Sequence, residues 1–269
     1  MALPANLTSN LRNMLAQFRA NNAFTSIPGG NGKALEAWVM FRLATAAAVS
    51  SRWHVTLRRG DETPLPPGAQ FPFPSAQHEI EPSSPSAAGY IHLQDLLEGY
   101  DLELHSSLRW GGRSNATHEI DISVIPAAIA STLRAAAGGL PRGLPVLAVE
   151  CKDKASAGEA DEMRETLARL FDLALVTKPH ASVSCRVFAK STTVTSTWPR
   201  WGRRSGTYKA FFKKGTFAVA RVGAFRLGAR CMADHFHIQQ IGNIYEPGLR
   251  HMLTLERHFQ NTLRLIHKL

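Results

Sequence analysis

Apolar positions recur at helical spacing first at Leu7, Leu11, Met14, Leu15 and Phe18, which predicts an amphipathic helix over about residues 7–20. Its stripe either packs on a core or meets a second subunit. After the Gly-rich turn Pro28–Gly32, the run KALEAWVMFRLATAAAV predicts a helix over about 33–49 that is apolar almost all round and therefore buried on most sides. The turn itself is not a phosphate loop, since Lys33 is followed by Ala34 where Ser or Thr would be needed. Apolar, strand-like stretches follow at Tyr100–Arg109, His118–Ile125 and Pro145–Lys152, and an Ala-rich helix ending at Gly138-Gly139 separates the last two. The spacing of Met163, Leu167, Leu170, Phe171 and Ala174 predicts a helix from Glu159 to Val176, and Ser182–Ala189 reads as a further strand. The order helix, three strands, helix, strand predicts a mixed α/β core in a single domain of residues 1–269.

Two segments break this rhythm. Seven of the 15 prolines fall between Pro64 and Pro85, so residues 61–90 are expected to form a surface loop or partly mobile insertion. The stretch 247–269, with Leu249, Met252, Leu253, Phe259, Leu263 and Ile266, reads as an amphipathic C-terminal helix that packs on the core or pairs with a second subunit.

Composition supports folding: 44% of the 269 residues are hydrophobic and 19% charged. No run approaches the roughly 18 apolar residues that span a bilayer, and the polar start lacks the apolar segment of a signal peptide. The expected location is cytoplasmic, with no membrane partner. Cys151, Cys185 and Cys231 form no CxxC pair and suit reduced thiols. Cys231, His235 and His237 supply only three potential zinc ligands, so strand residues with incidental histidines are the preferred reading.

The formal net charge is +10, and its distribution matters more than its size. From Leu173 to Ala233 there is no Asp or Glu, against twelve Lys and Arg. A one-sided field of this kind attracts polyanions, which makes nucleic acid the expected partner. Within that segment, residues 198–214 interleave Arg200, Arg203, Arg204, Lys209, Lys213 and Lys214 with Trp198, Trp201 and Tyr208. The cations suit phosphates and the aromatics suit bases or sugars; a solvated loop anchored by its aromatics is the alternative. The expected contacts are Arg200, Trp201, Arg203, Arg204, Lys209, Lys213 and Lys214.

The candidate chemistry lies on the strands. Side chains alternate along a strand, so in HEIDISVI the residues Glu119 and Asp121 share a face, as do Glu150 and Lys152 in LPVLAVECKDK. If the two strands are neighbours, Asp121, Glu150 and Lys152 meet near their ends. Two hard carboxylates beside an ammonium suit a divalent ion, and Mg²⁺ is the natural candidate. Taken singly, each residue also fits an ordinary ion pair or a solvated helix position.

With Glu36 on the preceding apolar helix, this pattern resembles the PD-(D/E)XK, or restriction-endonuclease-like, nuclease superfamily. The likeness covers roughly Gly32 to Ala189, with Ile120 standing where the family name has Pro. The Ala-rich helix between the Asp121 strand and the Glu150 strand also departs from the pattern. The resemblance implies a core of order αβββαβ over about 32–189, a mixed sheet flanked by helices, with the Pro-rich insertion and a basic C-terminal extension. It implies an Mg-dependent endonuclease acting on DNA, with Mn²⁺ able to substitute. Asp121, Glu150 and the backbone carbonyl of Cys151 would hold the metal, and Lys152 would orient water or neutralise charge in the transition state. Glu36 would act through water or a second metal, with Glu119 the reserve ligand. A catalytically silent binding module, or an RNA-cleaving effector with the same site, are the rival expectations. The superfamily's settings include restriction, antiviral defence, repair and transposition, so a larger defence or repair complex is an expected partner, and a homodimer would cut both strands.

Overall fold

The run from Ala34 to Ala47 offers apolar or small side chains on nearly every face, and it forms the central helix of the protein. The structure, a computed structural model, describes residues 5–20, 31–112, 114–173, 185–186, 205–206, 215–245 and 250–266. Helix α1 spans Ala5–Gln17 and α2 spans Asn31–Ala48. Leu35, Trp38, Val39, Met40, Phe41 and Leu43 of α2 are all essentially inaccessible to solvent. Each such side chain contributes roughly 1.5–3 kcal/mol of burial relative to exposure.

The strands are β1 Trp53–Arg58, β2 Tyr90–Asp95, β3 Asp101–Gly111, β4 Thr117–Pro126, β5 Leu147–Lys152, β6 Cys185–Arg186, β7 Ser205–Gly206, β8 Thr216–Arg221 and β9 Gln239–Ile241. The further helices are α3 Ala127–Ala135, α4 Ala160–Leu173, α5 Leu227–Phe236 and α6 Arg250–Leu265. Among the described residues the fold is mixed α/β: six helices and a seven-stranded open sheet of order β1-β2-β3-β4-β5-β8-β9. Strands β1 to β5 run antiparallel to their neighbours, whereas β5, β8 and β9 are parallel. Helix α2 packs against α1, α6 and strands β1, β3, β4 and β5; α6 packs along β8 and β9, α3 on β3 and β4, and α5 on α4 and β9. All six residues of β8 are buried, as expected for a strand covered on both faces.

Four sequence expectations change here. Strands β1 and β2 extend the antiparallel part beyond the three strands expected. The core does not end near residue 189, because β8 and β9 are sheet members at 216–221 and 239–241. Within the strand expected at Ser182–Ala189, only Cys185–Arg186 is described, and it pairs with Ser205–Gly206 apart from the main sheet. Cys231 and His235 lie on helix α5, not on a strand, and His237 caps that helix in a left-handed conformation with φ 58°. No zinc cluster forms from these residues among the described ones.

The Pro-rich segment is irregular but anchored. Phe71 is buried, and Phe71 and Phe73 pack edge-on against Phe41 of α2. The backbone of His78 exchanges hydrogen bonds with Ser107 and Arg109 of β3. Aromatic burial fixes a loop that its prolines keep out of the sheet. Among the described residues, no helix is long and apolar enough to cross a membrane.

Candidate functional site

Strands β4 and β5 pair at Val124↔Leu147, Ser123↔Ala148 and Ile122↔Val149, and the pairing stops there. Continuing the register sets Asp121 opposite Glu150, so their side chains leave the same face of adjacent strands. Beyond that point the strands part, and the backbone N–H of Cys151 donates instead to Asp121 Oδ2 at 2.6 Å. A side chain thus satisfies a donor that the ladder would otherwise have served.

The same row of the sheet continues to β3, where Ser107 falls between the pairs Ser106↔Ile122 and Leu108↔Ile120 without pairing itself. Ser107 is fully buried and has φ 54°, a left-handed conformation uncommon for a non-glycine residue in the middle of a strand. Its hydroxyl donates to Glu36 Oε2 at 2.7 Å. Helix α2 therefore delivers Glu36 to the row that holds Asp121 and Glu150.

Cations brace these acids. Lys33 Nζ, one turn before Glu36, lies 3.0 and 2.9 Å from the two Glu36 carboxylate oxygens, 2.5 Å from Ser107 Oγ and 3.4 Å from Glu119 Oε1. Arg169 of α4 donates to Glu150 Oε2 at 2.8 Å and reaches the carbonyl of Glu119 at 3.4 Å. Lys152 Nζ stands 3.5 Å from Glu150 Oε2. Glu150 Oε1 is buried and has no hydrogen-bond partner among the described residues.

Burial and crowding of like charges act on every carboxylate here. Burial, then the charge of Asp121, pushes Glu36 up to about 7 against the pull of Ser107 and Lys33. Glu150 is pushed up to about 7 by burial and by Asp121, partly countered by Arg169 and Lys152. Asp121 is also raised by burial, although the Cys151 N–H and Lys152 oppose it. Burial disfavours the Lys33 ammonium, but hydrogen bonding to Glu36 and the charges of Glu36, Glu119 and Asp121 outweigh it and hold its pKa above the usual lysine value. The Cys151 thiol is pushed up by burial and by the nearby acids; of the Cys151 atoms, the carbonyl oxygen is the ligand that suits a hard ion.

The structure thus brings Glu36, Glu119, Asp121, Glu150 and Lys152 into one neighbourhood. Sequence reasoning missed Lys33, Ser107 and Arg169. Lys33 had a usable signal in its i, i+3 spacing from Glu36 on a helix. Ser107 and Arg169 carried none. The basic contacts Arg200, Trp201, Arg203, Arg204, Lys209, Lys213 and Lys214 lie outside the described residues. No group of three or more His, Cys, Asp or Glu side chains among the described residues is arranged as a ready-made metal cage. The pairing explains it: Glu36 turns to Lys33 and Ser107, and Glu150 to Arg169. Compared with known proteins, the chain matches no family model, no curated protein and no solved structure.

Proposed function

We propose that the protein is a metal-dependent nuclease of the PD-(D/E)XK type that hydrolyses phosphodiester bonds of DNA. The observation that carries this reading is the pair Asp121 and Glu150 at the point where β4 and β5 part, with Glu150 Oε1 buried and unpartnered beside them. A buried carboxylate oxygen without a donor is costly, and a hard cation is the ligand that best relieves it. Asp121 and Glu150, with the carbonyl of Cys151, are the residues that would hold Mg²⁺ or Mn²⁺. Once bound, such an ion supplies a Lewis acid for the scissile phosphate and an acidified water.

The chain's own residues account for the rest. Lys152 extends beside Glu150 and would neutralise charge that develops on the phosphate oxygens. Burial of Glu150 against β8, where it pairs across to Val219, keeps the surroundings poor in water and strengthens each charge interaction. The acid-free, basic stretch from Leu173 to Ala233 supplies the attraction for a polyanion.

Incubation of the purified protein with plasmid DNA and Mg²⁺ or Mn²⁺ tests the reading, with Asp121→Asn and Lys152→Ala as controls. Cleavage by wild type alone supports it; equal cleavage by all three excludes this site. One observation favours a silent binding module: Glu36 and Glu150 already have cationic partners without any metal. DNA binding without cleavage under either ion would select that second reading.

A further inference from the structure

We propose that Lys33 is the built-in counter-cation of this site, so that the site takes one divalent ion, on the Asp121 and Glu150 side, and not two. The inference rests on the nuclease reading above and concerns the metal count, which that reading leaves open.

An ammonium has three N–H donors and no acceptor. Lys33 Nζ is surrounded by three acceptor groups: the Glu36 carboxylate at 2.9 and 3.0 Å, Ser107 Oγ at 2.5 Å and Glu119 Oε1 at 3.4 Å. Its hydrogen-bonding capacity is matched by its surroundings. By the family resemblance Glu36 is the residue that would help to hold a second ion, and both it and Glu119, the reserve ligand, already face the fixed positive charge of Lys33. Ser107 strengthens the arrangement, because its hydroxyl accepts from Lys33 and donates to Glu36 Oε2 at 2.7 Å. Ser107 has an unusual backbone, with φ 54° inside β3, at the point where its hydroxyl meets helix α2.

The Glu150 side is different. Its Oε2 is held by Arg169 at 2.8 Å, but its Oε1 has no partner among the described residues. Ligand capacity is therefore unequal across the row: taken up at Glu36, spare at Glu150. Charge leads to the same count. The four carboxylates Glu36, Glu119, Asp121 and Glu150 face three cations, Lys33, Lys152 and Arg169. With all of them ionised, one divalent ion turns a net −1 into +1, which a phosphodiester balances; a second ion would leave a large uncompensated positive charge in a half-buried site.

The test is a count of bound Mn²⁺ by isothermal titration calorimetry, with electron paramagnetic resonance of free Mn²⁺ as the independent readout. Full-length wild type is compared with Lys33→Gln, Lys33→Met, Glu36→Gln and Glu150→Gln, each checked for folding by circular dichroism. One Mn²⁺ per chain is expected in wild type, and two in the Lys33 variants. Glu150→Gln should lose the wild-type ion, whereas Glu36→Gln should keep it with affinity weakened by no more than about 10–100-fold, the scale of a residue outside the ligand shell. Two ions in wild type, one in folded Lys33 variants, or loss of binding in Glu36→Gln would each overturn the assignment of Lys33 while leaving a metal nuclease standing. No Mn²⁺ bound by wild type would overturn the nuclease reading itself, and this inference with it.

Discussion

The carboxylate of Asp121 takes the place of a strand: its Oδ2 accepts the Cys151 N–H at 2.6 Å where β4 and β5 cease to pair. One side chain thereby closes the sheet locally and anchors the acidic row between Glu36 and Glu150. The two roles separate by substitution. Asp121→Asn keeps an acceptor for Cys151 and removes the charge, so the fold should survive while Mn²⁺ binding and cleavage are lost. Asp121→Ala also orphans a part-buried N–H, which should cost about 1 kcal/mol of stability, the low end of the range for an unsatisfied donor. Urea unfolding of both variants, beside a plasmid cleavage assay, checks the distinction; equal stability of the two would remove the structural role.

In the proposed reaction Lys152 acts in the transition state, so its loss should appear in turnover. Lys152→Ala is expected to lower kcat by about 10²–10³-fold with KM for DNA nearly unchanged, the scale seen when one stabilising donor is removed. Single-turnover cleavage across a range of DNA concentrations separates the two parameters. A large rise in KM with kcat intact would make Lys152 a binding residue.

How far the sequence reveals this arrangement depends on what each residue's signal is made of. Asp121 and Glu150 are legible because strand alternation and an abrupt apolar-to-charged ending are local properties, and β4 and β5 are indeed neighbours. Helix α2 is legible from its length and apolar content. Strands β1 and β2 flank the Pro-rich segment; WHVTLR alternates apolar and polar residues strictly and β2 does so over IHLQ, so the period-2 signal is present but is confined to two six-residue runs. Helix α5 is obscured because Gly228 sits in its first turn and the Cys231, His235, His237 spacing draws the eye to ligands. The left-handed Ser107 and the reach of Arg169 to Glu150 exist only once distant elements pack. Tertiary context, not local propensity, creates them.

A second polar cluster, away from the candidate site, sets a prediction for acid stability. Arg134 of α3 grips Glu103 of β3 with two hydrogen bonds of 2.8 and 2.6 Å and lies over the Tyr90 ring at 4.4 Å. His105, also buried, bonds Glu103 through Nε2 at 2.9 Å, stacks on Tyr90 and lies near His78. Burial lowers the His105 pKa below 6.5, reinforced by the charges of Arg134 and His78, and outweighs the attraction of Glu103. For Glu103, burial opposes ionisation, but Arg134 and His105 hold its pKa below 4.5. Both shifts have the same sign for stability. The unfolded chain takes up protons first, so the His105 contribution is complete above pH 6.5 and fades as pH falls below it, followed by that of Glu103 below pH 4.5. Urea unfolding at pH 8, 6.5 and 5.5 should show His105→Gln losing less stability on acidification than wild type. Arg134→Met strands a buried carboxylate and should cost about 3–5 kcal/mol at pH 8. Parallel pH profiles for wild type and His105→Gln would contradict the assignment.

The proposed grip on nucleic acid is testable apart from the chemistry, because phosphate contacts announce themselves through salt. Each neutralised phosphate on duplex DNA contributes about −0.9 to the slope of log affinity against log salt. About six contacts from the basic stretch would give a slope near −5. Replacing Arg200, Arg203 and Arg204 together by Ala should make that slope shallower by about 2.7 and weaken binding to all sequences alike, since phosphate contacts carry no base information. Fluorescence anisotropy on a short labelled duplex, in buffer without divalent ions, measures this without cleavage. The Asp121→Asn variant should keep the wild-type slope, because it alters the acids and not the grip. A slope unchanged by the triple substitution would move the DNA contacts off residues 200–204, and a wild-type slope near zero would remove nucleic acid as the partner.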